Sequence, residues 1–180
     1  MSNFGPQGER LQAMLEVEES FGDRGASDPR RVFAVLARHE VDYTAIGGIA
    51  VIAHGHTRNT RDVDFVAAVD EENLVRLAAA LRELNAQLWG VDAHLLGIDV
   101  YDPFTLANGA NFTMQTDAGG LDFFNEVPGG LPYADLRERS LLVVVGDIEI
   151  RVAGLDDLIR MKVAAGRPRD LDDIAALTAG

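Results

Sequence analysis

The sequence predicts an α+β protein in which a mixed β-sheet is flanked by helices. Three observations lead there. Stretches of period two and period 3.6 follow one another in mixed order rather than as a repeating βαβ unit. Two turn signals, Asp117-Ala118-Gly119-Gly120 and Gly146-Asp147, each join a pair of strand-like runs into a hairpin. An apolar run that ends in Gly47-Gly48 opens a short helix, and a polar turn then leads to Asp62-Val63-Asp64-Phe65-Val66, where carboxylates alternate with apolar residues.

In chain order, residues 1–27 read as a tail or a short helix used for packing or dimerisation. Leu11, Met14 and Leu15 fit an amphipathic turn, but Phe21-Gly22-Asp23-Arg24-Gly25 breaks it. Residues 28–180 read as the folded domain. Asp28-Pro29 is a helix start, and Val32, Phe33, Leu36 and Ala37 give its buried stripe. A strand should follow at Tyr43 to Ile46. After the acidic pair, Asp70 to Ala86 is a helix with an acidic first turn and with Leu74, Leu77, Ala78, Leu81 and Leu84 at helical spacing.

Gln87 to Leu106 carries no clear period, and His94 to Tyr101 reads equally as strand or loop. Phe112 to Thr116 and Leu121 to Val127 are the strands of the first hairpin. Leu131 to Ser140 reads as a turn and a short helix, and Leu141 to Val145 with Ile148 to Val152 as the second hairpin. Gly154 to Ala165 is a helix ended by Gly166 and Pro168, and Asp170 is expected to start the last helix.

The chemistry concentrates between Tyr43 and Val69. Successive strand residues point to opposite faces, so Asp62 and Asp64 share one face while Val63 and Phe65 enter the core. Two carboxylates about 4 Å apart repel by about 4 kcal/mol at an effective dielectric near 20. They therefore call for a shared proton, a basic neighbour or a cation. Oxygen-only ligands favour a hard ion, Mg²⁺ with Mn²⁺ as the alternative, which completes its shell with water and substrate phosphate. Gly47 and Gly48 lack a Cβ and let a phosphate approach the amides that open the helix. The plainer readings are a tight packing turn for the glycines and a solvated strand edge for the acids.

Composition narrows the class. With 180 residues one domain is expected, and 47% hydrophobic content suits a globular protein. Zero cysteines exclude disulfides and thiolate metal sites. The N-terminus has no signal-peptide pattern and no run of about 18 apolar residues occurs, so a cytoplasmic protein without membrane contact is expected. The net charge of −13 opposes extended contact with nucleic-acid backbones. No GxxxxGK[ST], GxGxxG or GxSxG occurs, which removes P-loop, dinucleotide-binding and serine-hydrolase readings.

Gly47-Gly48, followed after thirteen residues by Asp62-Val63-Asp64, resembles the signature of nucleotidyltransferases of the DNA polymerase β superfamily. The longer pattern GGxAVxxHGxxRxTxDxD is similar to that of small bacterial AbiEii-like nucleotidyltransferases. The resemblance covers about Phe33 to Ala176. It implies a nucleotidyltransferase-fold sheet and transfer of an NMP from an NTP to a hydroxyl acceptor, either a tRNA end or a small molecule. It also implies two divalent ions on Asp62, Asp64 and a third carboxylate on a neighbouring strand. Asp122 matches that third position, with Asp117, Asp135 and Glu126 also available.

Arg58 and Arg61 flank the pair and either hold the triphosphate or pair with Asp62. His54 and His56 lie at a helix end, where a cap outweighs a metal ligand. Lys162 extends the stripe of Leu155, Leu158 and Ile159, so it leans inward toward an anion or snorkels. The resemblance places a lysine on such a helix ahead of an R-x-x-D-xx-D stretch, matched by Arg167 or Arg169, Asp170 and Asp173. An antitoxin partner or a homodimer is compatible with the resemblance. The competing class is a nucleotide-binding or regulatory protein that keeps the fold without turnover.

Overall fold

The computed structural model describes Glu9, Leu11, Gln12 and residues 27–56, 58–60, 62–90 and 95–179. Of the N-terminal stretch, Glu9, Leu11 and Gln12 are helical, and Leu11 is fully buried in the core.

Helix α1 (Pro29–Arg38) begins as expected: Asp28 accepts from the Arg31 amide at 3.0 Å, and proline occupies its first turn. Strand β1 (Tyr43–Ala45) runs into helix α2 (Gly47–Ala53), and β2 (Asp62–Ala67) returns antiparallel to β1. Helix α3 (Glu71–Glu83) is capped by Asp70 and is followed by the two-residue β3 (Gln87–Leu88). Helix α4 (Pro103–Asn108) comes next, then the hairpin β4 (Phe112–Thr116) and β5 (Gly119–Phe124). Helix α5 (Tyr133–Glu138), the hairpin β6 (Leu141–Val145) and β7 (Ile148–Val152), α6 (Leu155–Ala165) and α7 (Pro168–Thr178) complete the chain.

The strands form one seven-stranded mixed sheet in the order β3-β4-β5-β2-β1-β7-β6. β2 pairs parallel with β5 and β1 parallel with β7, while the other contacts are antiparallel. The fold class therefore stands as the sequence indicates. None of the described helices is long and apolar enough to cross a membrane.

One face of the sheet is buried under α1 and α3, and a run of rings marks it. Phe33, Tyr43, Phe65, Phe123 and Phe112 follow one another with centroids 6.0, 6.2, 5.4 and 5.9 Å apart. Each such pair contributes about 0.5–1.5 kcal/mol beyond simple burial. Phe65 and Phe123 are paired across β2 and β5. Pinning those rings fixes the residues one position earlier, Asp64 and Asp122, on the opposite face.

Four elements differ from the sequence reading, the first being β3, a strand at Gln87–Leu88 where no period was visible. Helix α4 lies where no period was visible, although Asp102 caps it through the amides of Phe104 and Thr105 and Pro103 opens it. The returning strand of the first hairpin begins at Gly119 because the turn consists of Asp117-Ala118 alone. Helix α7 begins at Pro168, not at Asp170. Proline is preorganised for the first helical position, so Asp170 falls two residues inside and reaches back to the Arg167 amide at 3.2 Å.

Candidate functional site

Site geometry begins with sheet register. Asp62 pairs with Gly120, and Asp64 lies directly opposite Asp122. Side chains at paired positions of neighbouring strands share a face. Asp62, Asp64 and Asp122 therefore stand together on the face away from the ring stack. Asp122 is thus brought to the pair, whereas Asp117 sits in the turn, Asp135 in α5 and Glu126 beyond the end of β5.

The glycines meet the acids at close range. Ile46 is extended and its amide donates to the Asp64 carbonyl at 2.9 Å, which ties the start of α2 to β2. Gly47 has φ +58, a left-handed conformation that side chains disfavour. A Cβ there would collide with the Asp64 carboxylate, its Cγ lying only 2.7 Å away. A Cβ on Gly48 would come within 2.7 Å of the Thr60 Cβ. Both positions exclude side chains because other site residues occupy that space.

Burial, followed by the charges of Asp122 and Asp62, pushes the Asp64 carboxyl up to about 7. A hydrogen bond from the Gly48 backbone and the nearby Arg167 charge pull the other way. The Gly48 backbone at the start of α2 thus favours the charged carboxylate, the preference expected at a helix start.

These residues line a cleft of about 1250 Å³. Its walls include Gly47, Gly48, Arg58, Asp62, Asp64, Asp122 and Lys162 from the sequence reading, while Arg61 lies outside the described residues. Thr60, Trp89, Phe124, Met161, Arg167 and Arg169 also line it. Trp89 is the only tryptophan of the chain, but it sits in the stretch whose period could not be read.

The cations are engaged by acids on α7. Lys162 is buried and its Nζ donates to Asp173 at 2.6 Å and to Asp170 at 3.4 Å. Arg58 donates to the same Asp173 oxygen at 2.5 Å, which pairs it with α7. Lys162 therefore has anionic partners, and the snorkelling alternative falls. Burial raises the Asp170 carboxyl, but hydrogen bonds and charge from Arg167, with the Lys162 charge, hold it below the usual range. His54 closes α2, and its ring bonds the Ala153 carbonyl at 2.8 Å, a cap as expected.

Three oxygen donors on one face, mutually repelling and next to an anion-accepting helix start, fit a hard divalent ion in chemistry. Among the described residues no three His, Cys, Asp or Glu side chains form a ready metal cage.

Gly47-Gly48 open α2 beside the acidic pair of the adjoining strand β2, the arrangement that the resemblance to nucleotidyltransferases implies. The chain belongs to the family "Nucleotidyltransferase of unknown function (DUF6036)", which it matches over residues 30–178. No curated protein matches it in sequence. Its fold is similar to that of the lincosamide antibiotic adenylyltransferase LnuA with lincomycin bound, at 14% identity and a TM-score of 0.56, covering 85% of this chain and 98% of that one. It is also similar to ANT(2'')-Ia in complex with adenylyl-2''-tobramycin, at 15% identity and a TM-score of 0.52, covering 84% and 86%. A candidate nucleotidyltransferase from Thermotoga maritima aligns at 13% identity and a TM-score of 0.50, covering 82% and 88%.

Proposed function

We propose that this protein is a Mg²⁺-dependent nucleotidyltransferase that moves a nucleoside monophosphate from an NTP to an acceptor hydroxyl. The observation that supports this reading most is the pairing of Asp64 with Asp122 beside the amide of Gly48. Mg²⁺, or Mn²⁺ in its place, held by Asp62, Asp64 and Asp122, would neutralise phosphate charge and lower the pKa of the acceptor hydroxyl.

The chain's own residues do the rest. The α2 amides at Gly47 and Gly48 receive triphosphate oxygens, with Arg58, Lys162 and, on sequence grounds, Arg61 supplying positive charge. Asp122 takes the proton of the acceptor hydroxyl. The acceptor oxygen forms a bond to the α-phosphorus. The bond from that phosphorus to the bridging oxygen breaks, and pyrophosphate leaves with the electron pair. Positioning and charge neutralisation account for most of the rate.

The AbiEii-like motif would make a tRNA end one acceptor. The net charge of −13 favours a small molecule instead, because a polyanion is held mainly by lysine and arginine. LnuA and ANT(2'')-Ia, whose names or bound adducts concern antibiotics, are consistent with that choice.

A second reading, nucleotide binding without turnover in a regulatory or toxin–antitoxin protein, is favoured by one observation: Arg58 and Lys162 are both engaged by Asp173. Incubation with each α-labelled NTP, Mg²⁺ and either total RNA or small hydroxylated molecules separates the two. Label transfer that disappears in Asp62→Asn and Asp64→Asn supports the enzyme. NTP binding with no transfer to any acceptor supports the second reading.

A further inference from the structure

The cleft has an acidic and a basic wall. Asp62, Asp64 and Asp122 stand on β2 and β5, while Arg58, Lys162, Arg167 and Arg169 line the same cleft from the loop before β2, from α6 and from the start of α7. These cations differ in how they are held.

Arg58 donates to Asp173 at 2.5 Å. Lys162 donates to Asp173 at 2.6 Å and to Asp170 at 3.4 Å. Arg167 donates to Asp170 through Nε at 2.8 Å and through Nη2 at 3.3 Å. Asp170 and Asp173 are buried, and a buried carboxylate that loses its cation is left with an uncompensated charge. A cation of this network therefore turns fully to a ligand only by abandoning an acid.

Arg169 is placed differently. It is the second residue of α7, directly after Pro168, and it is exposed on the cleft wall while the adjacent Asp170 is buried. Among the described residues no carboxylate, carbonyl or ring engages its guanidinium. A positive charge in the first turn of a helix also opposes the helix dipole, so folding gains nothing from an arginine at this position. What it offers is a free guanidinium fork, facing the cleft.

The charge balance indicates the ligand. Within the network three cations share two carboxylates, which leaves one positive charge in surplus, and Arg169 adds a second. A terminal phosphate carries a charge of about −1.5 to −2 near neutral pH and presents its oxygens as acceptors. The acidic wall repels such a group, and the basic wall draws it. Resting on the nucleotidyltransferase reading above, we propose that Arg169 binds the terminal phosphate of the NTP through its guanidinium fork. With the α-phosphorus at Asp62, Asp64 and Asp122, the phosphate tail runs toward α7, and Arg169 selects triphosphates over diphosphates. The same contact stabilises the pyrophosphate as it departs with the electron pair. Arg58, Lys162 and Arg167 hold the wall in shape and act on the tail through their charge.

Calorimetry on the full chain tests this with the Mg²⁺ complexes of an ATP analogue with a methylene α,β-bridge and of the matching diphosphate analogue. Arg169→Ala should weaken the triphosphate analogue about ten- to hundredfold and the diphosphate analogue by less than about threefold. Arg169→Lys should recover part of the loss, because an ammonium returns the charge without the fork. A structural role is separated by a thermal melt: Arg169→Ala should melt at or slightly above the wild-type temperature, as a cation is removed from a helix start. Equal weakening of both analogues, unchanged binding of both, or a melting temperature lowered as far as in Arg58→Ala overturns the assignment. Binding of neither analogue to the wild-type chain sinks the nucleotidyltransferase reading itself, whereas wild-type binding that is indifferent to Arg169 sinks this assignment alone.

Discussion

Asp64 and Asp122 face each other in parallel register across β2 and β5, two carboxylates that the chain separates by almost a third of its length. Like charges so placed have a cost in the folded protein unless a proton or a cation lies between them. Replacing either by asparagine should therefore divide the two properties of the site. Transfer activity should fall about a hundredfold or more. The melting temperature of the metal-free protein near pH 8 should rise by about 2–8 °C, as 1–2 kcal/mol of repulsion is relieved. Kinetics and a thermal melt of each variant check both halves.

The same cluster sets a pH dependence. The Asp64 carboxyl is raised by burial first and then by Asp122 and Asp62, from the ordinary carboxylate range to about 7. A raised folded value means that the stabilising contribution is complete below about pH 4 and is lost as pH rises through about 7. Asp64 should thus make the metal-free protein less stable between pH 5 and about pH 8. Melting of wild type against Asp64→Asn across that range isolates this contribution, and millimolar Mg²⁺ should reduce the loss.

Gly47→Ala combines a left-handed φ with a collision against Asp64. The strain is expected to cost about 1–3 kcal/mol, and Asp64 must move to relieve it. Denaturant unfolding should show the stability loss. Activity should fall by more than the loss of folded protein accounts for, because the displaced group belongs to the acidic row.

Lys162→Met should be the most damaging single change outside the sheet. It removes the ammonium between Asp170 and Asp173, buried at 1% and 3% exposure, and leaves them only Arg167 and Arg58, so two buried charge-assisted hydrogen bonds are lost at a cost of about 3 kcal/mol. Arg58→Ala should cost less, about 1–3 kcal/mol, because Asp173 keeps Lys162. Urea unfolding of the two variants gives the order directly.

Local signals made part of this site readable in the sequence. Gly47-Gly48 and Asp62-Val63-Asp64 lie close along the chain, and period two already assigns the acids to one face. Asp122 could be matched only by resemblance, since its pairing with Asp64 depends on how two strands more than fifty residues apart are set in register. Lys162 could be seen to lean inward, but its partners sit on the next helix, and placing them required knowing that Pro168 starts α7. Asn73 escaped notice altogether: it is fully buried, taking the Asp42 amide and donating to the carbonyls of Asp42 and Ala68, while its sequence position looks like an ordinary helix residue. Helix α4 is signalled in the sequence by the cap-and-proline pair Asp102-Pro103, although no apolar period marks its six residues.

The hydrogen bond between the Gly48 amide and Asp64 has a bearing on how the cleft fills. A single N–H points at one anion at a time, so an arriving phosphate and the aspartate are rivals for it. Under the proposed reaction, loading is an exchange: the carboxylate turns to the incoming cation as the phosphate takes its berth. Nucleotide stripped of its metal, offering a rival but no new partner for Asp64, should then bind poorly.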